Sequence, residues 1–288
     1  MLGDLGLTLA QAERERAYSP STCIAGNYQP FIAAYAEQSL AARGRTLSLG
    51  ARWLDVRYGA AAAQRVDLCL PAAPAGATTG LLVFIHGGYW QELSARNSLF
   101  AAAHCVEHGL AFCALDYTLA PQASIAEIVA ECRSAMHMLH TQALHWGIDP
   151  ARIVVAGSSA GAHLAAMTCL APGCKPHAGV LLSGIYQLEP LVGTSINQAL
   201  GLDVQEARAQ SPLLQRVQGF PQTLLCWGQI ETDAFKAQSQ HFAHALQTAG
   251  TPCAMMEVAT RNHFDLALDL ADPHTTLGRH TLSLLGVT

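Results

Sequence analysis

From residue 81 onward the chain alternates short apolar runs with longer stretches of helical period, and this alternation narrows the fold more than any other feature. LLVFIHGG, LAFCALDY, RIVVAG, AGVLLSG, TLLCWG and CAMMEVA read as strands; LLVFI is continuously apolar, as a strand covered on both faces must be. Helices are expected at about 98–108, 124–146, from 160, at 234–249 and near the C-terminus. Repeats of this kind build βαβ units, hence an α/β protein with a mostly parallel sheet and helices on both faces. Ahead of them, RWLDVRYG and QRVDLCLP read as two strands, and 1–49 as a mainly helical N-terminal extension with Gly44 as its expected stop. PAAPAGATTG is a loop too short to mark a domain boundary, so a single domain over 1–288 is expected. The segment 186–214, rich in Leu, Gln and Pro, breaks the alternation and is expected to lie over a site.

Ligands of open parallel sheets bind beyond the carboxyl ends of the strands, so the residues that follow each strand carry the functional reading. After RIVVA comes Gly157-Ser158-Ser159-Ala160-Gly161, a G-x-S-x-G between strand and helix. That setting strains the central residue and pushes its hydroxyl outward, which selects Ser159 as nucleophile and leaves Ser158 facing the wall. After LLVFI comes His86-Gly87-Gly88-Tyr89-Trp90. Acyl transfer builds negative charge on a carbonyl oxygen, and the N–H groups of Gly87, Gly88 and Ala160 are the expected donors to it. His86 reads as a structural histidine that ties the loop, and Tyr89 and Trp90 read as substrate-pocket or packing residues. After TLLCWG two carboxylates compete for the acid, Glu231 and Asp233, the latter also placed to cap the helix that follows. After CAMMEVA lies His263, where a general base belongs. The order Ser, acid, His is that of the α/β-hydrolase fold.

Composition limits the alternatives. With 51% hydrophobic and 13% charged residues, the chain has material for a large core and lacks the Lys/Arg runs of a nucleic-acid binder. No apolar run approaches bilayer-spanning length, so no membrane partner is expected. Nine scattered cysteines without a CxxC pair fit a reducing compartment, and the N-terminus has no basic stretch of a signal peptide; a cytoplasmic location is expected. Lysine is nearly absent, a hint of an oligomer interface that keeps a homodimer as an expectation. His104/His108 and His137/His140 lie within a helical turn of each other but lack HExxH context or a third acidic ligand, so no metal is expected.

The same residues resemble the arylformamidases (kynurenine formamidases) of the α/β-hydrolase fold. HGGYW is similar to the family's signature loop, GSSAGAHLAAM to its nucleophile turn, with Ser158 where His or Asp is more usual, and LLSGIYQLEPLVGTSINQALGLD to its segment over the site. FKAQS is similar to the helix start after the family's acid, which the resemblance puts four residues before Phe235, at Glu231; relatives more often carry Asp. NHFD is similar to the family's D-H-F-x around the base. The resemblance implies hydrolysis of N-formyl-L-kynurenine to L-kynurenine and formate, without metal or organic cofactor, with Tyr89, Trp90 and Tyr186 as candidates for an aromatic substrate pocket. Rival readings are a carboxylesterase for short acyl esters, a related amide or carbamate hydrolase, and a catalytically dead binding protein on a hydrolase scaffold.

Overall fold

The computed structural model describes residues 2–72, 77–173 and 175–287. Residues 73–76 of the loop PAAPAGATTG lie outside the described residues. The strands are β1 (Arg52–Arg57), β2 (Arg65–Leu70), β3 (Thr79–Ile85), β4 (Ala111–Leu115), β5 (Ile148–Ser158), β6 (Ala178–Leu182), β7 (Gln222–Ile230) and β8 (Cys253–Asn262). They form one sheet in the order β1-β2-β4-β3-β5-β6-β7-β8. β1 and β2 pair antiparallel, β2 joins β4 antiparallel, and every pair from β4 to β8 is parallel.

The helices are α1 (Gln11–Ala17), α2 (Gln29–Ser48), α3 (Ala102–Glu107), α4 (Ile125–Gln142), α5 (Ala160–Cys169), α6 (Asn197–Leu200), α7 (Val204–Ala209), α8 (Asp233–Thr248) and α9 (Thr276–Leu284). The N-terminal extension is not one helix: α1 and α2 are separated by a 3-10 turn over Pro20–Ile24, where Pro20 occupies a first-turn position. α2 also runs through Gly44, whose cost within a helix is small beside the packing gained by burying Tyr35, Ser39, Ala42 and Thr46. α4 starts at a capping box in which Ser124 and Glu127 satisfy each other's backbone N–H groups.

β3 is buried on every residue and shows why the sheet needs two helical layers. Leu81, Val83 and Ile85 face a core shared with α4, α5 and α8, whereas Leu82 and Phe84 face a second core with α3 and α9. Both faces of a central parallel strand are thus dry, and function is confined to its ends. Among the described residues no helix is long and apolar enough to cross a membrane.

Candidate active site

Parallel register brings the functional loops to one level. Ile85 of β3 pairs with Gly157 of β5, and Ser158 pairs with Leu182 of β6, so Gly87, Ser159 and Ser183 leave the sheet side by side. Ser159 turns the chain into α5 with φ +57° and ψ −120°, a left-handed conformation that costs a side-chain-bearing residue energy and persists only where the surroundings impose it. Its N–H donates to Leu182 O at 2.8 Å, which pins the turn to the neighbouring strand. Gly161 allows α5 to come this close: a Cβ there would stand 2.0 Å from the Ile85 carbonyl oxygen.

The acid and base are matched by a second register. β7 and β8 pair, through an irregularity after Gly228, until Ile230 faces Asn262; the next residues are Glu231 and His263. Glu231 Oε2 accepts from His263 Nδ1 at 3.0 Å. Glu231 Oε1 accepts from the Gly228 N–H at 2.6 Å and from the Ser183 hydroxyl. The buried carboxylate therefore has both oxygens engaged, and it holds the imidazole with its proton on Nδ1 and Nε2 free as a base. Phe235 packs edge-on against that ring at 4.4 Å. The main chain beside it is clamped: Asn262 Oδ1 accepts from the N–H groups of Phe264 and Asp265, and Asp265 Oδ1 accepts from the Asn262 N–H. Asp233 is exposed on the first turn of α8, where Thr232 is the cap. Of the two carboxylates left open by the residues, Glu231 is the one at the imidazole.

The loop after β3 lies against the serine. A Cβ on Gly87 would meet Ser158 O at 2.7 Å and Ser159 Cβ at 3.2 Å, so only glycine permits this approach. The N–H groups of Gly87, Gly88 and Ala160 have no acceptor among the described residues, the last because it opens α5. His86 does not face the chemistry as a base. Its Nε2 meets Asp116 Oδ1 at 3.3 Å, its ring stacks on Tyr117 at 4.3 Å, and the Tyr117 hydroxyl donates to His86 O at 3.0 Å.

Ser159 and His263, both largely buried, line one cavity of about 190 Å³. Among the described residues the Ser159 hydroxyl has no hydrogen-bond partner, and nucleophile–base contacts commonly tighten only in the substrate complex. Burial pushes the Cys69 and Cys253 thiols up to about 11 and those of Cys113 and Cys132 well above their ordinary range, so these thiols stay protonated at neutral pH. No group of three or more His, Cys, Asp or Glu among the described residues stands close enough to hold a metal ion.

Known proteins share this architecture. A family model described as BD-FAE matches residues 66–178. The kynurenine formamidase of Danio rerio is 28% identical over 293 residues, covering 97% of this chain and 98% of its own. Over nearly its whole length the chain is similar to this kynurenine formamidase. A solved structure of a candidate thioesterase from Silicibacter sp. TM1040 matches with a TM-score of 0.81 at 28% identity, over 96% of this chain and 99% of its own. The hyperthermophilic esterase of Pyrobaculum calidifontis matches with a TM-score of 0.71 at 17% identity, over 90% and 93% of the two chains, a likeness of fold alone.

The cavity wall departs from the sequence reading. Tyr89 lines the cavity, its hydroxyl donating to Tyr18 O. Trp90 does not line it. Tyr89 and Trp90 both have left-handed backbone, their rings stand 6.1 Å apart at 59°, and the indole is fully buried, edge-on to His163 at 5.1 Å. Tyr186 is absent from the wall as well: it is buried in a stack on Phe242 at 4.4 Å, because Gln238 Oε1 accepts its N–H and turns this stretch into the core. Ser158, expected to face away, lines the cavity beside Ser159. From 186–214 only Ile196 reaches it. The outer wall comes from the N-terminal extension instead, through Tyr18, Tyr28, Ile32 and Tyr35. The last three recur at i, i+4 and i+7, a helical-face signal present in the sequence. Ser183 was also missed, since a serine after a strand carries no signal of its own.

Proposed function

We propose that this protein is an arylformamidase that hydrolyses N-formyl-L-kynurenine to L-kynurenine and formate, acting as a serine hydrolase in the cytoplasm. The observation that carries the reading is the buried Glu231–His263 pair opening into the same aromatic-lined cavity as the strained Ser159. His263 Nε2 takes the Ser159 proton as the hydroxyl oxygen bonds to the formyl carbon. The N–H groups of Gly87, Gly88 and Ala160 hold the resulting oxyanion. The C–N bond breaks as His263 returns the proton to the aryl amine, leaving a formyl ester on Ser159. Water then attacks that ester, giving one proton to His263; the proton returns to Ser159 Oγ as formic acid departs, and the acid ionises to formate in solvent. Glu231 keeps the imidazole oriented and stabilises its cationic form in both halves. The cavity has room for a small acyl group and supplies aromatic surface to an anilide ring.

Ser159→Ala is expected to abolish turnover while circular dichroism stays native; a Ser159→Ala protein that still cleaves the formamide would overturn the assignment. Nothing in the triad itself tells an amide from an ester, so short-chain esterase activity is the second reading. Comparison of kcat/KM for N-formylkynurenine with p-nitrophenyl acetate and butyrate separates the two, and a clear preference for butyrate would reverse them.

A further inference from the structure

Apart from histidine, one ionisable side chain of fixed charge lines the cavity, Glu92, and neither Lys nor Arg lines it among the described residues. Glu92 is exposed, and its N–H donates to Gly88 O at 3.0 Å, which fastens it to the turn that carries the oxyanion loop. Its Oε1 accepts from the Tyr28 hydroxyl at 3.4 Å. The Tyr28 ring in turn stacks at 5.5 Å on Phe264, the residue after His263. The carboxylate thus bridges the two loops of the reacting centre at the solvent side of the cavity. A ligand whose acyl group reaches Ser159 runs its outer atoms past this group. An anion there meets the Glu92 charge with no cation in the wall to offset it. A protonated amine there meets a carboxylate, an attraction that no cation in the wall opposes.

We propose that Glu92 and Tyr28 form a cation subsite at the cavity mouth, selecting formanilides that carry a protonated side-chain amine over those that carry only a carboxylate. Glu92 touches no reacting atom and acts on specificity. In N-formylkynurenine the subsite takes the α-ammonium and leaves the α-carboxylate to solvent. The nature of the cleaved bond rests on the formamidase reading above; the charge preference does not.

The test is calorimetric titration of the native protein and of Glu92→Gln with two aryl ketones that are not turned over: kynuramine, which has the amine alone, and 4-(2-aminophenyl)-4-oxobutanoate, which has the carboxylate alone. Kynuramine is expected to bind the native protein roughly tenfold more tightly, the combined effect of one exposed attraction and one exposed repulsion. That ratio should fall below about twofold in Glu92→Gln, and should shrink in the native protein at about 1 M salt. Glu92→Gln folds normally on this account, since its side chain bonds only the Tyr28 hydroxyl. Equal affinities in the native protein, or a ratio that survives the substitution, would overturn the subsite. Turnover of N-formylkynurenine and its deaminated analogue is measured alongside. Preserved charge preference with no formanilide cleaved would remove the formamidase reading and leave the subsite; cleavage without charge preference would remove the subsite alone.

Discussion

Glu231 serves His263 in two separable ways, as a charge and as a fixed acceptor. Glu231→Gln keeps the shape but removes the charge and lets the imidazole settle in the wrong tautomer; kcat is expected to fall by about 10³–10⁴ with a folded protein, read in steady-state kinetics. Ser183→Ala removes one charge-assisted donor from Oε1 while the Gly228 N–H remains. It is expected to lower kcat by about tenfold and leave KM nearly unchanged, since a hydrogen bond to a charged group contributes roughly 1.5–3 kcal/mol. Asp233→Asn serves as the contrast: exposed and away from the imidazole, it should leave kcat within about twofold. A loss at Asp233 as large as that at Glu231 would refute the choice of acid. Glu231 was legible only through the family resemblance, which puts the acid four residues before Phe235, because two carboxylates within three residues look alike until the β7–β8 register chooses between them.

At the scale of elements, one buried amide joins the N-terminal extension to two elements beside the site. Gln238 Oε1 of α8 accepts from the N–H groups of Tyr186 and Gln187, and its Nε2 donates to the Tyr18 hydroxyl and to Gln187 O. The extension and the segment after β6 therefore both bond to this one side chain of α8. Burial pushes the Tyr18 hydroxyl well above its ordinary range, so it remains protonated and donates to Leu5 O at 2.7 Å. Gln238→Leu leaves two backbone N–H groups without partners; a loss of about 2–4 kcal/mol in denaturant unfolding is expected, together with faster proteolysis at Arg14 and Arg16. The helix after the nucleophile is equally constrained. Gly161→Ala sets a methyl against the Ile85 carbonyl, and a cost of roughly 1–3 kcal/mol with lower kcat is expected from displaced Ser159 geometry. Helix α2 shows the limit of local reasoning: Gly44 is a good stop signal, overridden because a whole face of the helix is buried.

Across the whole molecule, one buried histidine sets an acid limit on stability. His163 of α5 donates from Nε2 to Gln210 O at 2.7 Å, and desolvation lowers its pKa to about 4. The unfolded chain takes up this proton near pH 6.5 and the folded one does not, so the folded state loses stability as pH falls from about 6.5 toward 4, by roughly 3 kcal/mol in all. Urea unfolding at stepped pH should show this slope, and His163→Gln should flatten it. What the sequence by itself determined is periodic and local: the alternation of strands and helices, the strained G-x-S-x-G turn, the glycines after β3 and the histidine after β8. Each follows from backbone sterics or hydrophobic period acting within a few residues. What only the tertiary structure decided is which distant groups share a cavity. Tyr28, Ile32 and Tyr35 form its outer wall, Trp90 and Tyr186 turn into the core, and Ser183 reaches Glu231. Those outcomes depend on strand register and close packing, where a shift of one residue reverses the side a chain faces, and no short stretch of sequence carries that information.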